Sequence, residues 1–262
     1  MRRALLALLM LLGGLIAARA DVSRATLDAI AAAPQPDARV PLDIPFTDAN
    51  GAPRTLREAL GGRPAVLVFA DYTCRTLCGP ILAFAAAGLD KSGLEPGRDF
   101  HLVVVGIDPK DRLADAGRFK GRHLGKDTPL AGATVMLSGT SDAVSAVTGA
   151  AGYRFTYDRA HDQFAHPAAA YVVTGDGRVA RVLSGLGLSG PDLRLALVDA
   201  GNGRIGNLAD QIHLLCYGFD PARGLYTASI TRLLNIGGVI TVLAILSGIA
   251  GLTLARRRGR AA

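Results

Sequence analysis

Two cysteines separated by three residues are the side chains of this sequence whose type and spacing suit metal binding or redox chemistry. Cys74 and Cys78 flank Arg75-Thr76-Leu77, directly after an apolar run. In a helix, residues four apart share a face with Cβ atoms about 5–6 Å apart, whereas a disulfide needs about 3.8 Å. A helix N-terminus and Arg75 both favour the thiolate, a soft ligand for copper(I), zinc or iron–sulfur centres. The pair therefore indicates a metal or redox site; a structural disulfide or two half-buried core cysteines remain the alternatives.

Apolar runs that alternate with helical patterns predict the elements that position this pair. Ala65–Ala70 and His101–Ile107 are typical of strands covered on both faces, and Thr174-Gly175-Asp176-Gly177 is typical of a hairpin turn. This order predicts an α/β fold, a thioredoxin-like sandwich with a mixed sheet. The other predicted elements are strands at 134–137, 168–173 and 178–182 and helices at 74–90, 113–124, 141–150 and 191–200.

If the pair binds a metal, a third ligand should come from elsewhere in the chain. The candidates are the five histidines: His101, His123, His161, His166 and His213. His166 stands immediately before the strand predicted at 168–173, which in a thioredoxin-like sheet begins beside the cysteine loop. His166 is therefore the first candidate for a third ligand beside Cys74 and Cys78, with His161, earlier in the same loop, as the alternative to His166. His101 and His123 are expected to be ordinary solvated or packed histidines.

The third cysteine, Cys216, leaves an odd number of thiols in the chain. It lies in a short aromatic stretch before a long apolar span. Core packing and membrane-interface anchoring are the simpler interpretations. An additional metal ligand or a disulfide between two copies of the chain are the others, so no site is predicted at Cys216.

The positive charge of the chain is confined to its two ends. Of 29 basic residues, three lie in residues 1–20 and four in 233–262, where there are no acids, so 22 basic and 22 acidic residues remain between them. The body of the protein is therefore neutral. A nucleic-acid-binding function is excluded, because no basic surface is left to neutralise phosphates.

Both ends carry signals of export and membrane insertion. Residues 1–20 combine Arg2-Arg3, an apolar run and a small-residue cleavage site, which predicts a signal peptide. Residues 233–254 carry no charge and as a helix would span roughly 33 Å, enough to cross a bilayer. The arginines that follow predict that residues 255–262 are a cytoplasmic basic tail. The chain is thus expected to cross the inner (cytoplasmic) membrane once, with its main domain on the periplasmic side.

The segments between these signals complete the predicted organisation. Residues 21–40 are rich in Ala, Pro and Asp and are interpreted as a linker. Residues 41–200 form the predicted thioredoxin-like domain, and residues 201–232 a juxtamembrane extension.

Three segments of the chain resemble the Sco/SenC family. Val68-Phe69-Ala70-Asp71-Tyr72-Thr73-Cys74, with Cys78, is similar to its cysteine segment, and Val105-Gly106-Ile107-Asp108-Pro109-Lys110-Asp111 to its Asp-Pro segment. His166 through Gly177 is similar to its histidine strand and hairpin. The resemblance covers about 41–200 and continues into the terminal span, as in a bacterial branch with a C-terminal membrane anchor. Where the family usually has proline after each cysteine, this chain has Arg75 and Gly79-Pro80.

The resemblance implies a thioredoxin-like, membrane-anchored copper protein that helps to assemble the copper centre of cytochrome c oxidase. Cys74 and Cys78 would be thiolate ligands, His166 the imidazole ligand, and Asp108 a residue beside the site or at a partner surface. The implied partner is the copper-bearing subunit of cytochrome c oxidase or another copper protein.

Two other functions are compatible with the same cysteines. As a redox pair, Cys74 and Cys78 would make the chain a thiol–disulfide reductase that keeps a partner's copper-site cysteines reduced. Peroxide reduction or redox sensing fits the fold but has no motif of its own.

Overall fold

The computed structural model of the protein describes residues 29–74, 78–159, 162–185, 188–202, 217–220, 225–228 and 238–248, together with Asp210, Leu214 and Asn235. The predicted signal peptide at 1–20, the basic tail at 255–262, His161 and Cys216 lie outside these residues. Of the predicted span at 233–254, residues 238–248 are helical. Within the described parts of the chain, no helix is both long enough and apolar enough to cross a membrane.

A mixed sheet lies at the centre of the fold. In chain order, the strands are β1 (Ala31–Ala32), β2 (Pro45–Asp48), β3 (Pro53–Thr55), β4 (Ala65–Ala70), β5 (His101–Gly106), β6 (Thr134–Ser138), β7 (Tyr153–Arg154), β8 (Thr156–Asp158), β9 (Gln163–Ala165), β10 (Ala169–Val173), β11 (Val179–Ser184), β12 (Tyr217–Asp220) and β13 (Leu225–Ala228). The central sheet has seven strands in the order β11-β10-β4-β5-β6-β2-β3. Strands β4, β5 and β6 are parallel and the outer pairs antiparallel, which confirms the predicted mixed sheet.

Helices cover both faces of this sheet. They are α1 (Leu56–Leu60), α2 (Cys78–Asp90), α3 (Leu113–Leu124), α4 (Pro129–Ala133), α5 (Ser141–Ala150) and α6 (Gly190–Ala200). Val66 and Val68 of β4 share a core with residues of α2, α3 and α6. Leu67 and Phe69, on the opposite face of the strand, share a second core with residues of α1 and α5. This two-sided burial explains why β4 is apolar throughout.

The predicted elements agree closely with the structure where the sequence pattern is strong. The strand at Ala65–Ala70 and the helices at Leu113–Leu124 and Ser141–Ala150 have the predicted bounds. The predicted helix at 74–90 is different, because α2 begins at Cys78 and Cys74 is not helical. The cysteines therefore do not share the first turn of a helix, and the spacing expected from such a turn does not apply.

Part of the predicted linker belongs to the folded unit. Strand β1 pairs with β7, and the N–H of Val40 donates to the carbonyl of Gly177 at 2.9 Å. Val40 is buried in the second core. Residues 31–40 are therefore part of the domain, because their backbone groups pair with it.

The predicted extension is also tied to the domain, because Leu214 packs against the first core and Asp210 forms an ion pair with α6. Asp210 accepts hydrogen bonds from Nε and Nη2 of Arg194 at 2.7 and 2.8 Å. Arg194, in α6, also donates from Nη1 to the carbonyl of Ser92 at 2.9 Å. Only 8% of the Asp210 side chain is exposed, so this ion pair is largely withdrawn from water.

Candidate metal centre

Cys74 lies just beyond the end of β4, in a turn that Asp71 holds. The Oδ1 atom of Asp71 accepts hydrogen bonds from the N–H groups of Thr73 and Cys74 and from the Thr73 hydroxyl, each at 2.9 Å. Asp71 is 1% exposed, so these donors replace water at the carboxylate. A side-chain acceptor that binds N–H groups two and three residues later stabilises a local turn. The backbone of Cys74 is fixed by this turn.

Tyr72 attaches the cysteine turn to the central sheet. Its hydroxyl lies 2.7 Å from the carbonyl oxygen of Leu137 and 3.0 Å from that of Val104. Its ring fills the space beside Gly106, where an added Cβ would lie 2.8 Å from ring atom Cε2. Burial raises the pKa of the Tyr72 hydroxyl well above its usual value, so the group stays a neutral donor.

Strand β9 brings a distant segment of the chain to Cys74. The side-chain oxygen Oε1 of Gln163 lies 3.9 Å from Cys74 Sγ. The next residue, Phe164, directs its N–H toward Asp71 Oδ2 at 3.4 Å. Asp71 therefore contacts both the cysteine turn and the strand that ends one residue before His166.

His166 is held through one ring nitrogen. Its Nδ1 atom lies 2.8 Å from the hydroxyl oxygen of Tyr153 and 3.1 Å from the carbonyl oxygen of Pro167. Tyr153 is 2% exposed and packs against the rings of Phe69 and Tyr171. The imidazole is therefore attached to the second core of the domain.

Cys78 is the first residue of α2, and its side chain lies outside the described part of the chain, as do residues 75–77. The first turn of α2 carries no acidic residue. A helix N-terminus favours negative charge and lowers the pKa of a nearby thiol. The backbone of Cys78 therefore stands at the positive end of the α2 dipole.

Three carboxylates cluster beside the cysteine turn. Asp71, Asp108 and Asp111 each have an oxygen within 4.8 Å of the others. Burial, together with the negative charges of Asp71 and Asp108, raises the pKa of Asp111 to about 7, although its bond from the Tyr72 N–H opposes this shift. Sequence reasoning singled out only Asp108. The signal that could have found the other two is their place in the segments that follow β4 and β5, neighbouring parallel strands whose carboxyl ends share one edge: Asp71 comes directly after β4, and Asp111 comes five residues after β5.

His101 and His123, the histidines predicted to be ordinary solvated or packed residues, lie in two different places. His101 pairs in register with Ala65 at the start of β4 and β5, at the opposite end of these strands from the cysteine turn. His123 packs against the Phe119 ring and beside Gly79, next to Cys78 in sequence. Burial and the charge of Arg122 lower the pKa of His123.

The chain matches solved structures in its fold, whereas no curated protein matches it. A protein of Aquifex aeolicus VF5 is 23% identical with a TM-score of 0.56, covering 65% of this chain and 96% of that one. BsSco, described as a member of the Sco family of cytochrome c oxidase assembly proteins, is 18% identical with a TM-score of 0.52, covering 65% and 98%. ScoI of Bradyrhizobium japonicum, solved with copper bound, is 20% identical with a TM-score of 0.49, covering 63% and 99%.

At these identities the similarity of the structures establishes the fold alone. The family follows from the sequence, because the SCO1/SenC family model matches residues 33–190, more than half of the chain. This match includes both cysteines of the pair and His166. The chain therefore belongs to the SCO1/SenC family.

Proposed function

We propose that the protein is a membrane-anchored copper chaperone in which Cys74, Cys78 and His166 bind the copper ion that it delivers. The observation that carries this proposal is the contact between two segments far apart in sequence. Gln163 Oε1 lies 3.9 Å from Cys74 Sγ, and His166 follows Gln163 by three residues. One end of the sheet thus carries a thiol and an imidazole, next to the helix that begins at Cys78.

The donor set suits copper. Thiolates are ligands for copper(I), zinc and iron–sulfur centres, and imidazole is a ligand for copper and zinc, so copper is among the ions that this donor set fits. The helix N-terminus at Cys78 supports the deprotonated thiol that a metal requires. Membership of the SCO1/SenC family supports the same ion, since the family relative ScoI was solved with copper bound.

Delivery requires a partner that can replace these ligands one at a time. The proposed partner is the copper-bearing subunit of cytochrome c oxidase or another copper protein, because BsSco belongs to a family of cytochrome c oxidase assembly proteins. Cys74 is only partly buried, which leaves a route for an incoming ligand. As the partner's donors bind the ion, the chain's thiolates would leave it, and no change of copper oxidation state is needed.

The proposed location is the periplasmic side of the inner membrane. Residues 1–20 would be the signal peptide, 233–254 the membrane helix and 255–262 the cytoplasmic tail. The described helical residues 238–248 support this organisation, because their large apolar side chains are 55–61% exposed in the isolated chain. Such side chains need an apolar surrounding, which a bilayer provides.

Copper binding by the full chain in detergent micelles tests the proposed site. We expect about one copper ion per chain, lost in Cys74→Ser and Cys78→Ser. His166→Ala should weaken binding and change the thiolate-to-copper charge-transfer absorption, whereas the control His123→Ala should retain both. Stoichiometric copper binding that persists in both cysteine variants would contradict the proposal.

A thiol–disulfide reductase is the second function that this geometry supports. The partly buried Cys74 thiol stands before a helix N-terminus, which is the setting of a nucleophilic thiolate. Cys74 would attack a partner's disulfide, Cys78 would resolve the mixed disulfide, and the partner would leave as a dithiol with the two electrons and two protons of the pair. His166→Ala separates the functions, because it should weaken copper binding and retain this dithiol activity.

A further inference from the structure

Three polar atoms form a closed triangle around one side of the His166 ring. His166 Nδ1 lies 2.8 Å from Tyr153 Oη and 3.1 Å from the carbonyl oxygen of Pro167. The Tyr153 hydroxyl lies 3.3 Å from the same carbonyl oxygen. Each distance is within hydrogen-bond range, so each of the three contacts needs one hydrogen placed between its two atoms.

Only one arrangement of protons satisfies all three contacts. A carbonyl oxygen accepts hydrogen bonds and cannot donate, whereas a phenol can do both. With the proton on Nδ1, the imidazole donates to Tyr153 Oη and to Pro167, and the Tyr153 hydroxyl donates to Pro167. With Nδ1 unprotonated, its lone pair would face those of the Pro167 carbonyl at 3.1 Å. The triangle therefore favours the tautomer with hydrogen on Nδ1.

Tyr153 is well placed to impose this arrangement, because it is immobilised by its neighbours. It is 2% exposed, and its ring centroid lies 4.6 Å from that of Phe69 and 6.1 Å from that of Tyr171. Its backbone pairs with Ala32 through β1 and β7. A hydroxyl on so fixed a ring orients the imidazole that it contacts.

We propose that Tyr153 is a positioning residue that prepares His166 to bind copper through Nε2. A neutral imidazole has hydrogen on one ring nitrogen and binds a metal through the other. The hydrogen bond that the first nitrogen donates fixes the hydrogen there and so leaves the second nitrogen free to bind the metal. The Tyr153 hydroxyl and the Pro167 carbonyl hold the hydrogen on Nδ1, so Nε2 carries the lone pair. This inference rests on the proposed copper site, but the tautomer itself exists without copper.

The tautomer is measurable in the copper-free protein. We suggest long-range ¹H–¹⁵N correlation spectra of the full chain in detergent micelles, with ¹⁵N-labelled histidine, at a pH where imidazole is neutral. The signal missing from His166→Ala identifies His166. We expect the Nδ1–H pattern in the wild type and a shift toward the Nε2–H pattern in Tyr153→Phe. An Nε2–H pattern in the wild type would overturn the inference, even if Tyr153→Phe did not fold.

Copper affinity supplies the second readout. Removing an outer hydrogen-bond partner of a metal-binding histidine typically costs 10–100-fold in affinity, and we expect a loss of about that size in Tyr153→Phe. Tyr171→Phe is the matched control, because it removes a buried hydroxyl of the same aromatic cluster that has no hydrogen-bond partner among the described residues. It should bind copper as the wild type does. Wild-type affinity in Tyr153→Phe, with His166→Ala impaired, would reject the inference and leave the chaperone proposal standing. A wild-type chain that binds no copper would reject the chaperone proposal, while the spectra would still decide the tautomer.

Discussion

The carboxylate of Asp71 accepts the backbone N–H of Cys74 at 2.9 Å, and its other oxygen faces the N–H of Phe164 at 3.4 Å. One buried side chain thus joins the cysteine turn to the strand that leads to His166. The proposed ligands are separated by about ninety residues of sequence, yet a single carboxylate contacts both of the segments that carry them.

Asp71→Ala should therefore destabilise the domain and weaken copper binding together. The N–H of Cys74 would lose its acceptor, whereas the donors of the exposed Thr73 can turn to water. An unsatisfied buried donor costs about 1–3 kcal/mol in the free energy of unfolding. Asp71→Asn is the matched control, because its amide oxygen can still accept two N–H bonds. Its free energy of unfolding should fall by less than half as much as that of Asp71→Ala. Urea unfolding and copper titration measure the two effects. Equal stability of Asp71→Ala and the wild type would contradict this role.

Asp111 should make the domain less stable as the pH rises from about 4 to about 7. Its pKa is raised to about 7 in the folded protein, chiefly by burial. Between about pH 4 and pH 7 the folded state therefore binds more protons than the unfolded state, and the free energy of unfolding falls as the pH increases. Above about pH 7 Asp111 is ionised in both states, and the folded protein bears the full cost of burying its charge. Asp111→Asn should remove this slope and be more stable than the wild type at pH 8, by about 1–2 kcal/mol after allowance for solvent screening.

Asp43 provides a control of opposite sign for the Asp111 measurement. Its exposed carboxylate bonds to Arg57, which lowers its pKa. The stability that it contributes is present above its unfolded pKa and is lost as the pH falls. Asp43→Asn should leave the slope between pH 5 and pH 8 unchanged. A slope that persists in Asp111→Asn would show that another group is responsible.

Gly79→Ala should disturb the start of α2, because the new Cβ would overlap the ring of His123. Overpacking of this kind typically costs 1–3 kcal/mol. The double variant Gly79→Ala with His123→Ala should recover most of the loss, which thermal unfolding would reveal. Gly117→Ala in α3 is the control, since its Cβ would meet nothing within 4 Å and alanine stabilises a helix by about 0.5–1 kcal/mol over glycine. If the double variant recovered no stability, overlap with the His123 ring would not be the cause of the loss.

Arg194→Ala should release the segment after α6 from the domain. It would leave Asp210 largely buried without its bidentate partner, which typically costs about 2–3 kcal/mol at a partly exposed pair. We expect faster tryptic cleavage at Arg204 and faster hydrogen exchange near Asp210. Arg39→Ala breaks an ion pair with Asp176 whose side chains are both more than half exposed, so it should change neither rate. Unchanged cleavage in Arg194→Ala would show that other contacts hold the segment.

The sequence was informative where a periodic pattern has one physical cause. Strand β4 is apolar at every position because both of its faces are covered, and α5 begins after Thr140, whose side chain accepts the N–H of Ala143. Such rules are local, so the bounds of these elements could be predicted. The thioredoxin-like order of elements followed from them.

The remaining parts of the site depend on contacts between distant residues. Strands β8 and β9 have three residues each and pair outside the central sheet, and their mixed polarity gives no periodic signal. The contact of Gln163 with Cys74 and the contact of Tyr153 with His166 exist only once those segments are folded. Sequence could therefore name Cys74 and His166 as candidates, but not the side chains that hold them.

The position of β4 between β5 and β10 has a consequence for the order in which the molecule acquires its structure. Val68 pairs with Val104 on one side and with Ala170 on the other. Contacts between residues far apart in sequence require the closure of longer loops and slow the folding of a domain. During synthesis, Cys74 therefore emerges 92 residues before His166, ahead of the whole of β10. The proposed copper site would therefore be complete only after β10 pairs with β4.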